Sequence, residues 1–228
     1  MTAESPTLVP SALLMQQFKE APPGKLYCLH GSDSVFRLSL SAAAHALLRD
    51  VPITVVDGTN RFDVYYLAEF ARSVASREAG GGAPVDPGRF LEKIFISRAF
   101  TCYQMEAVIT ERLGAFVRRK HSPVVLIFGL LDTFYDEQAP LFEVKAGLQR
   151  VMAALQTLRG DNISVLLASV DVKLAARERN ALFPRLLTAM DRVYYVTNTG
   201  QATRIVREPG MKKIIPQGHE ATKRRRVA

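Results

Sequence analysis

The chain has 228 residues, 48% of them hydrophobic, enough for one sizeable core, and no linker divides it into two. It holds no run of about 18 uncharged apolar residues, so no membrane span is expected. The opening Met1-Thr-Ala-Glu4 has neither the basic nor the apolar region of a secretory leader, and Cys28 and Cys102 sit inside apolar runs. These features favour buried thiols over a disulfide or a redox pair, and predict a reducing cytoplasm, around the nucleoid or in a nucleus if the cell has one. Net charge is +8, and from Arg204 onward eight cations face only Glu208 and Glu220, so this end carries about six of the net charges.

Taken in order, residues 1–24 read as a lead-in or docking segment. Pro6, Pro10, Pro22 and Pro23 bracket an amphipathic helix over 11–20, and Leu8, Leu13, Leu14 and Phe18 are free to pack on a neighbour or on their own core. Residues 25–208 read as the core domain. Residues 25–30 form a short buried strand ended by Gly31, with N-cap chemistry over 32–34 and a helix over 35–48. A β-branched strand follows over 52–57, then a helix over 63–76 with Tyr66, Phe70 and Val74 at helical spacing.

Residues 79–88 (Ala-Gly-Gly-Gly-Ala-Pro-Val-Asp-Pro-Gly) form a surface loop. A helical turn from Phe90 leads to a strand over 94–97. A long helix over 102–119 puts Met105, Val108, Ile109, Leu113 and Phe116 on one face. The most apolar strand covers 123–128, another helix 141–158, and another strand 163–168. Residues 192–196 and 203–207 alternate around Thr-Asn-Thr-Gly-Gln as a hairpin. Residues 209–228 form a basic, flexible tail. Apolar strands alternating with helices predict an α/β fold: a mostly parallel, twisted sheet with helices on both faces and a C-terminal antiparallel hairpin.

Ligands of such sheets bind outside the carboxyl ends of the strands. After the first core strand comes Gly31-Ser32-Asp33-Ser34-Val35-Phe36-Arg37-Leu38. A phosphate-cradling loop in this context reads Gly-x-x-x-x-Gly-Lys-Ser/Thr. Here Phe36 replaces the second glycine and adds a ring where the backbone must wrap a phosphate. Arg37 replaces the compact ammonium, and Leu38 cannot bind Mg²⁺. Gly31, Ser32, Asp33, Ser34 and Arg37 thus form a vestigial nucleotide site.

The stretch Ser97-Arg98-Ala99-Phe100-Thr-Cys-Tyr-Gln104 resembles the Ala-Arg-Ala-Phe-Asn-x-x-x-Gln segment of RadA-type recombinases, relatives of RecA. Tyr135 matches a tyrosine that follows the family's next strand, and the order of elements over 24–210 agrees. The resemblance implies a RecA-like, P-loop-type core. It also implies docking through the sheet edge and the N-terminal segment, and DNA-binding loops after the fourth and fifth core strands. The departures fall on the chemistry. Gly129 stands where the family has a metal-associated aspartate, Thr59 where it has a water-activating glutamate, and Ser169 where it has a phosphate-sensing glutamine. Without intact Walker motifs, ATP hydrolysis is not expected, because phosphoryl transfer depends on these positioned charges.

The expectation is therefore a degenerate RecA/RadA-like paralogue acting in DNA repair or recombination, with no catalytic residue, no cofactor except a weakly supported ATP, and no metal. The four scattered histidines offer no zinc spacing. Asp132, Asp136 and Glu137 could hold a metal or pair as acid and base, but read better as a solvated helix-capping loop. Asp57 reads equally as ligand contact or turn cap. The DNA-binding candidates are Lys173, Arg177, Arg179 and Arg185 on the segment after the fifth strand, and Lys212, Lys213, Lys223, Arg224, Arg225 and Arg226 in the tail, because cations on phosphates release counterions. The partners expected are DNA and a RecA- or RadA-type recombinase or paralogue, with no membrane. The alternatives are a divergent nucleotide-binding ATPase using Arg37 and the Asp132/Asp136/Glu137 cluster, and a scaffold without a nucleic-acid role.

Overall fold

The computed structural model describes residues 7–8, 24–78, 86–172, 178–198 and 203–208. The described strands are β1 (Thr7–Leu8), β2 (Leu26–Gly31), β3 (Ile53–Asp57), β4 (Ile94–Arg98), β5 (Val124–Phe128), β6 (Ser164–Val170), β7 (Arg192–Asn198) and β8 (Thr203–Arg207). They form one sheet in the order β1-β8-β7-β2-β6-β5-β3-β4. The six strands from β7 to β4 are parallel, and β8 closes the sheet antiparallel to β7. This is the mostly parallel α/β sheet with a terminal hairpin that the sequence predicts.

The helices are α1 (Ser34–Leu47), α2 (Val64–Glu78), α3 (Pro87–Leu91), α4 (Cys102–Ala107), α5 (Gly114–Arg119), α6 (Leu130–Phe134), α7 (Leu141–Gly160) and α8 (Leu182–Leu187). α1, α2 and α3 cover one face, where Phe36, Leu40, Leu67 and Phe90 pack on Leu29, Val55, Leu126 and Leu166. α4 through α8 cover the other, where Met105, Ile109, Leu148, Val151 and Leu186 pack on Cys28, Val56, Ile127 and Leu167. Alternate residues of one strand thus enter opposite cores, and this requires the nearly uninterrupted apolar runs in β3 and β5.

Four details depart from expectation. The predicted 102–119 helix contains a π-helical segment, Val108–Leu113, between α4 and α5. Such a bulge accommodates one extra residue per turn and turns neighbouring side chains to new directions. α6 is not anticipated by the pattern, because the five-residue run after Gly129 is too short to show a period. Asp33 is the N-cap of α1, but no side chain caps it; the residue already has helical φ and ψ (−52°, −20°), so the expected cap over 32–34 does not form. Thr7 and Leu8 pair with Arg207 and Val206 of the same chain, so the backbone of this part of the lead-in joins its own sheet. The expected helix over 11–20, with Leu13, Leu14 and Phe18, lies outside the described residues.

Candidate functional site

Strand order decides where a ligand could sit. The chain leaves β2 toward the α1 face and leaves the adjacent β6 toward the α8 face, so a crevice opens between their carboxyl ends. β5 and β3 flank it in the same way. Their exits hold Gly31 to Asp33, Asp57 to Phe62, Gly129 to Asp132, and Ser169 to Asp171.

The loop at β2 is short. Gly31 adopts φ +121°, and a Cβ there would lie 2.3 Å from the Val196 carbonyl oxygen, so the position demands glycine. The Ser32 amide donates to that same carbonyl (2.9 Å), which ties the turn to β7. Helix α1 then starts at Ser34, with only two residues between it and Gly31. The residues that would wrap a phosphate instead form the first helical turn. Phe36 is buried against Phe128 with ring centroids 5.4 Å apart. Arg37 lies over the Tyr66 ring at 5.0 Å. Arg61 sits 3.7 Å from Asp33 and 5.6 Å from the Phe36 ring centre.

Asp57 is wholly buried and committed to its own turn. Its carboxylate accepts from the amides of Thr59 (3.0 Å), Arg61 (3.2 Å) and Phe62 (3.0 Å). Of its two readings, turn cap is the one realised. The turn brings Thr59 against Gly129, which has a left-handed backbone (φ +63°). A Cβ on Gly129 would come within 2.0 Å of Thr59 Cγ2 and 3.1 Å of Asp132 Oδ2. The two positions where the resembled family carries its aspartate and glutamate are therefore packed against each other, with no room for a side chain on Gly129.

Among the described residues, two buried side-chain atoms have no hydrogen-bond partner, Ser32 Oγ just after β2 and Asp132 Oδ2 beside Gly129. Burial pushes the Asp132 carboxyl above the usual carboxylate range, with Arg61 opposing the shift. Asp136 and Glu137 do not join Asp132. Asp136 caps its own turn through the Gln138 amide (3.0 Å), and Glu137 is exposed. Helix α7 takes no side-chain cap from either, since its N-cap is Pro140. The acidic cluster of the sequence is thus three separate groups. Among the described residues, no set of three or more His, Cys, Asp or Glu side chains is arranged to hold a metal ion. Both cysteines are buried free thiols, and desolvation raises the pKa of each.

The DNA-binding candidates divide. Arg179 does not face solvent: it is buried, and its guanidinium donates to the carbonyls of Phe134 (2.8 Å) and Ala139 (2.5 Å). This corrects its assignment as a phosphate contact, because its donors already satisfy the backbone between α6 and α7. Arg185 is exposed and donates to Gln149 (3.1 Å). Lys173 and Arg177, and the tail cations Lys212, Lys213, Lys223, Arg224, Arg225 and Arg226, lie outside the described residues.

Two features escaped the sequence reading. The first is His30, buried on β2, with Nδ1 2.9 Å from Asp171 Oδ1 and Nε2 3.2 Å from Glu208 Oε2. Phe183 and Tyr195 pack around its ring at 5.0 and 5.2 Å. It joins residues 141 and 178 positions away, and no local pattern announces such a contact. The second is a cavity of about 240 Å³ under the β4 edge, floored by Thr54 and Val56 and walled by Phe95, Ser97, Val108, Leu113 and Phe116, with Arg112 at its lining. The π segment supplies Val108, Arg112 and Leu113. Phe95, Ile96 and Ser97 read as an ordinary strand in sequence, and among the described residues β4 has no strand on its outer side.

Among the described residues, no helix is long and apolar enough to cross a membrane. No protein-family model matches this chain, and no curated protein matches its sequence.

Proposed function

We propose that this chain is a degenerate RecA/RadA-like paralogue that binds nucleic acid and a protein partner without hydrolysing ATP. The observation that carries the reading is the closure of the strand-end crevice. Thr59 fills the space beside Gly129, and helix α1 starts too soon after Gly31 for a phosphate-wrapping loop. No free cation is offered to a triphosphate by the vestigial loop: Arg37 lies on Tyr66, and Arg61 faces Asp33. A sheet with its first core strand at the centre and a strand interposed between β2 and β5 supports the RecA-like part of the proposal.

Charge supports the nucleic-acid part. His30 holds Asp171 and Glu208 on its two nitrogens, and in sequence Lys173 and Arg177 follow Asp171 as the tail cations follow Glu208. A polyanion touching both releases counterions from each. The decisive measurement is binding of single- and double-stranded DNA across a salt series, with the full chain and with a chain ending at Pro216. Truncation removes Lys223 to Arg226 and is expected to flatten the duplex salt slope by about 0.9 for each phosphate the shortened chain no longer neutralises. No binding at low salt overturns the nucleic-acid part.

The orphaned Ser32 Oγ and Asp132 Oδ2 favour a second reading, a polar ligand or divergent nucleotide in the crevice. A thermal upshift of several degrees with ATP, measured with and without Mg²⁺, would select it over the first. Magnesium-dependent turnover would overturn the first.

A further inference from the structure

We propose that His30, Asp171 and Glu208 form a proton-operated latch: a doubly protonated ring ties the end of β6 to the end of β8, and loss of one ring proton releases the Glu208 side chain. The latch goes beyond the proposed function and does not depend on nucleic-acid binding.

The chemistry of the three groups is the first argument. His30 Nδ1 lies 2.9 Å from Asp171 Oδ1, and Nε2 lies 3.2 Å from Glu208 Oε2. An ionised carboxylate only accepts hydrogen bonds, and a neutral imidazole has one N–H and one lone pair. With both carboxylates ionised, both contacts are hydrogen bonds only when the ring carries two protons. With one proton fewer, a lone pair faces a carboxylate oxygen and that contact opens. Imidazole is the side chain that ordinarily changes charge near neutral pH.

The surroundings are the second. The His30 side chain is 6% exposed, and Phe183 and Tyr195 pack on its ring at 5.0 and 5.2 Å. An unmade polar contact is expensive in such an enclosed place. On β2 the titratable neighbour is Cys28, whose thiol is pushed up by burial, then by the charges of Asp171 and Glu208. β6 places Ser169 across from His30, and β7 places Tyr195 there. At the end of α6, Tyr135 is pushed up to about 12 by burial, then by Asp132 and Asp171. Before and within α8, Arg179 donates to the Phe134 and Ala139 carbonyls and Arg185 to Gln149. On β8 the charged neighbour of Glu208 is Arg207, and successive strand side chains point to opposite faces. Among the described residues, the ion pairs of Asp171 and Glu208 are those with His30.

The path of the chain is the third argument and gives the direction of release. The contact to Glu208 is the longer of the two, and β8 has only the two-residue β1 on its far side among the described residues. The Glu208 amide donates to the Val193 carbonyl (2.9 Å), so the state of the latch can be read at that bond. Lys173 lies two residues past Asp171 in sequence, and the basic tail follows Glu208. Acid therefore ties together the residues from which both basic segments start, and alkali frees the second.

The test has two readouts on the full-length chain. Nitrogen-15 NMR follows the His30 ring in a chain carrying His45→Gln, His121→Asn and His219→Gln. Hydrogen exchange, corrected for its intrinsic rate, follows the Glu208 amide in the wild type and in Glu208→Gln. Glu208 is partly exposed, so this variant keeps the fold, and its carboxamide can accept from or donate to either form of the ring. Two ring N–H groups are expected at about pH 6 and one at about pH 9. Protection of the Glu208 amide should fall about fivefold between them in the wild type, the loss of one partly exposed charged contact, and stay level in Glu208→Gln. A single ring N–H at the lower pH puts the proton on a carboxyl and overturns the latch. A ring that keeps both protons throughout makes the three groups a fixed ion pair and also overturns it. So does an equal fall in the variant, or a ring that loses its proton while wild-type protection stays level. None of these outcomes bears on DNA binding, which is measured separately.

Discussion

The strand-end crevice and the β4 edge share strand β3, yet they are finished in opposite ways. At its carboxyl end β3 delivers Asp57, whose turn presses Thr59 onto Gly129 and closes the place where a ligand of this fold class would lie. One and three residues back, Val56 and Thr54 floor a cavity that the overlying helix does not fill. The contrast teaches that position in a fold nominates a site and that packing decides whether it is open. A glycine in left-handed conformation with a methyl against it is a finished contact. An apolar hole beside an unpaired strand is an unfinished one.

The comparison breaks most directly at Gly129. Gly129→Asp restores the carboxylate the resembled family carries, but it needs a left-handed aspartate and displaces Thr59. A drop of about 3 kcal/mol in urea unfolding is expected, combining the backbone and overpacking costs. Thr59→Gly in the same chain should return the overpacking share. A fully stable Gly129→Asp protein would mean the crevice is open after all.

Arg179→Met comes next. It strands the Phe134 and Ala139 carbonyls and is expected to cost about 2–3 kcal/mol. DNA affinity, compared at a temperature where both proteins are folded, should stay the same. A weakened, salt-dependent affinity at unchanged stability would return Arg179 to the phosphate-binding set.

Asp132→Asn has a smaller effect with a pH signature. Burial raises the folded-state pKa, so the native protein holds this proton more tightly than the unfolded chain. The ionised carboxylate therefore subtracts stability as pH rises from the unfolded carboxylate value through the raised folded one. Asparagine removes that cost, so at neutral pH the variant should gain on the order of 1 kcal/mol. The gain should vanish below about pH 4, where both states are protonated in the wild type. A pH-independent difference would rule out ionisation as its origin.

Ile96→Lys is expected to change stability least, within about 0.5 kcal/mol, because the side chain is already exposed on an edge. Urea unfolding checks this, and a loss of about 1 kcal/mol or more would mean that Ile96 is packed.

Much of the architecture could be read before any coordinates. The runs over 52–57, 123–128 and 163–168 alternate with amphipathic stretches, and their faces are now seen in two separate cores. Strand burial and helical spacing are local properties, and they survive into the fold. The site was less legible. Arg179 resembles its exposed neighbours in sequence, but a loop 40 residues away claims its guanidinium. Asp132, Asp136 and Glu137 are close along the chain, yet the turn after α6 sends them apart. His30 gave no signal, because both carboxylates it meets are remote in sequence.

By itself the sequence determined the periodicity of the elements, the burial of both sheet faces and the gathering of positive charge at one end, since each follows from residues near one another in the chain. Tertiary structure alone decided that Thr59 would close on Gly129, that His30 would join the ends of β6 and β8, and that β4 would be the last strand of the sheet among the described residues. Those outcomes depend on the order in which strands assemble, and strand order is set by contacts between residues far apart in sequence.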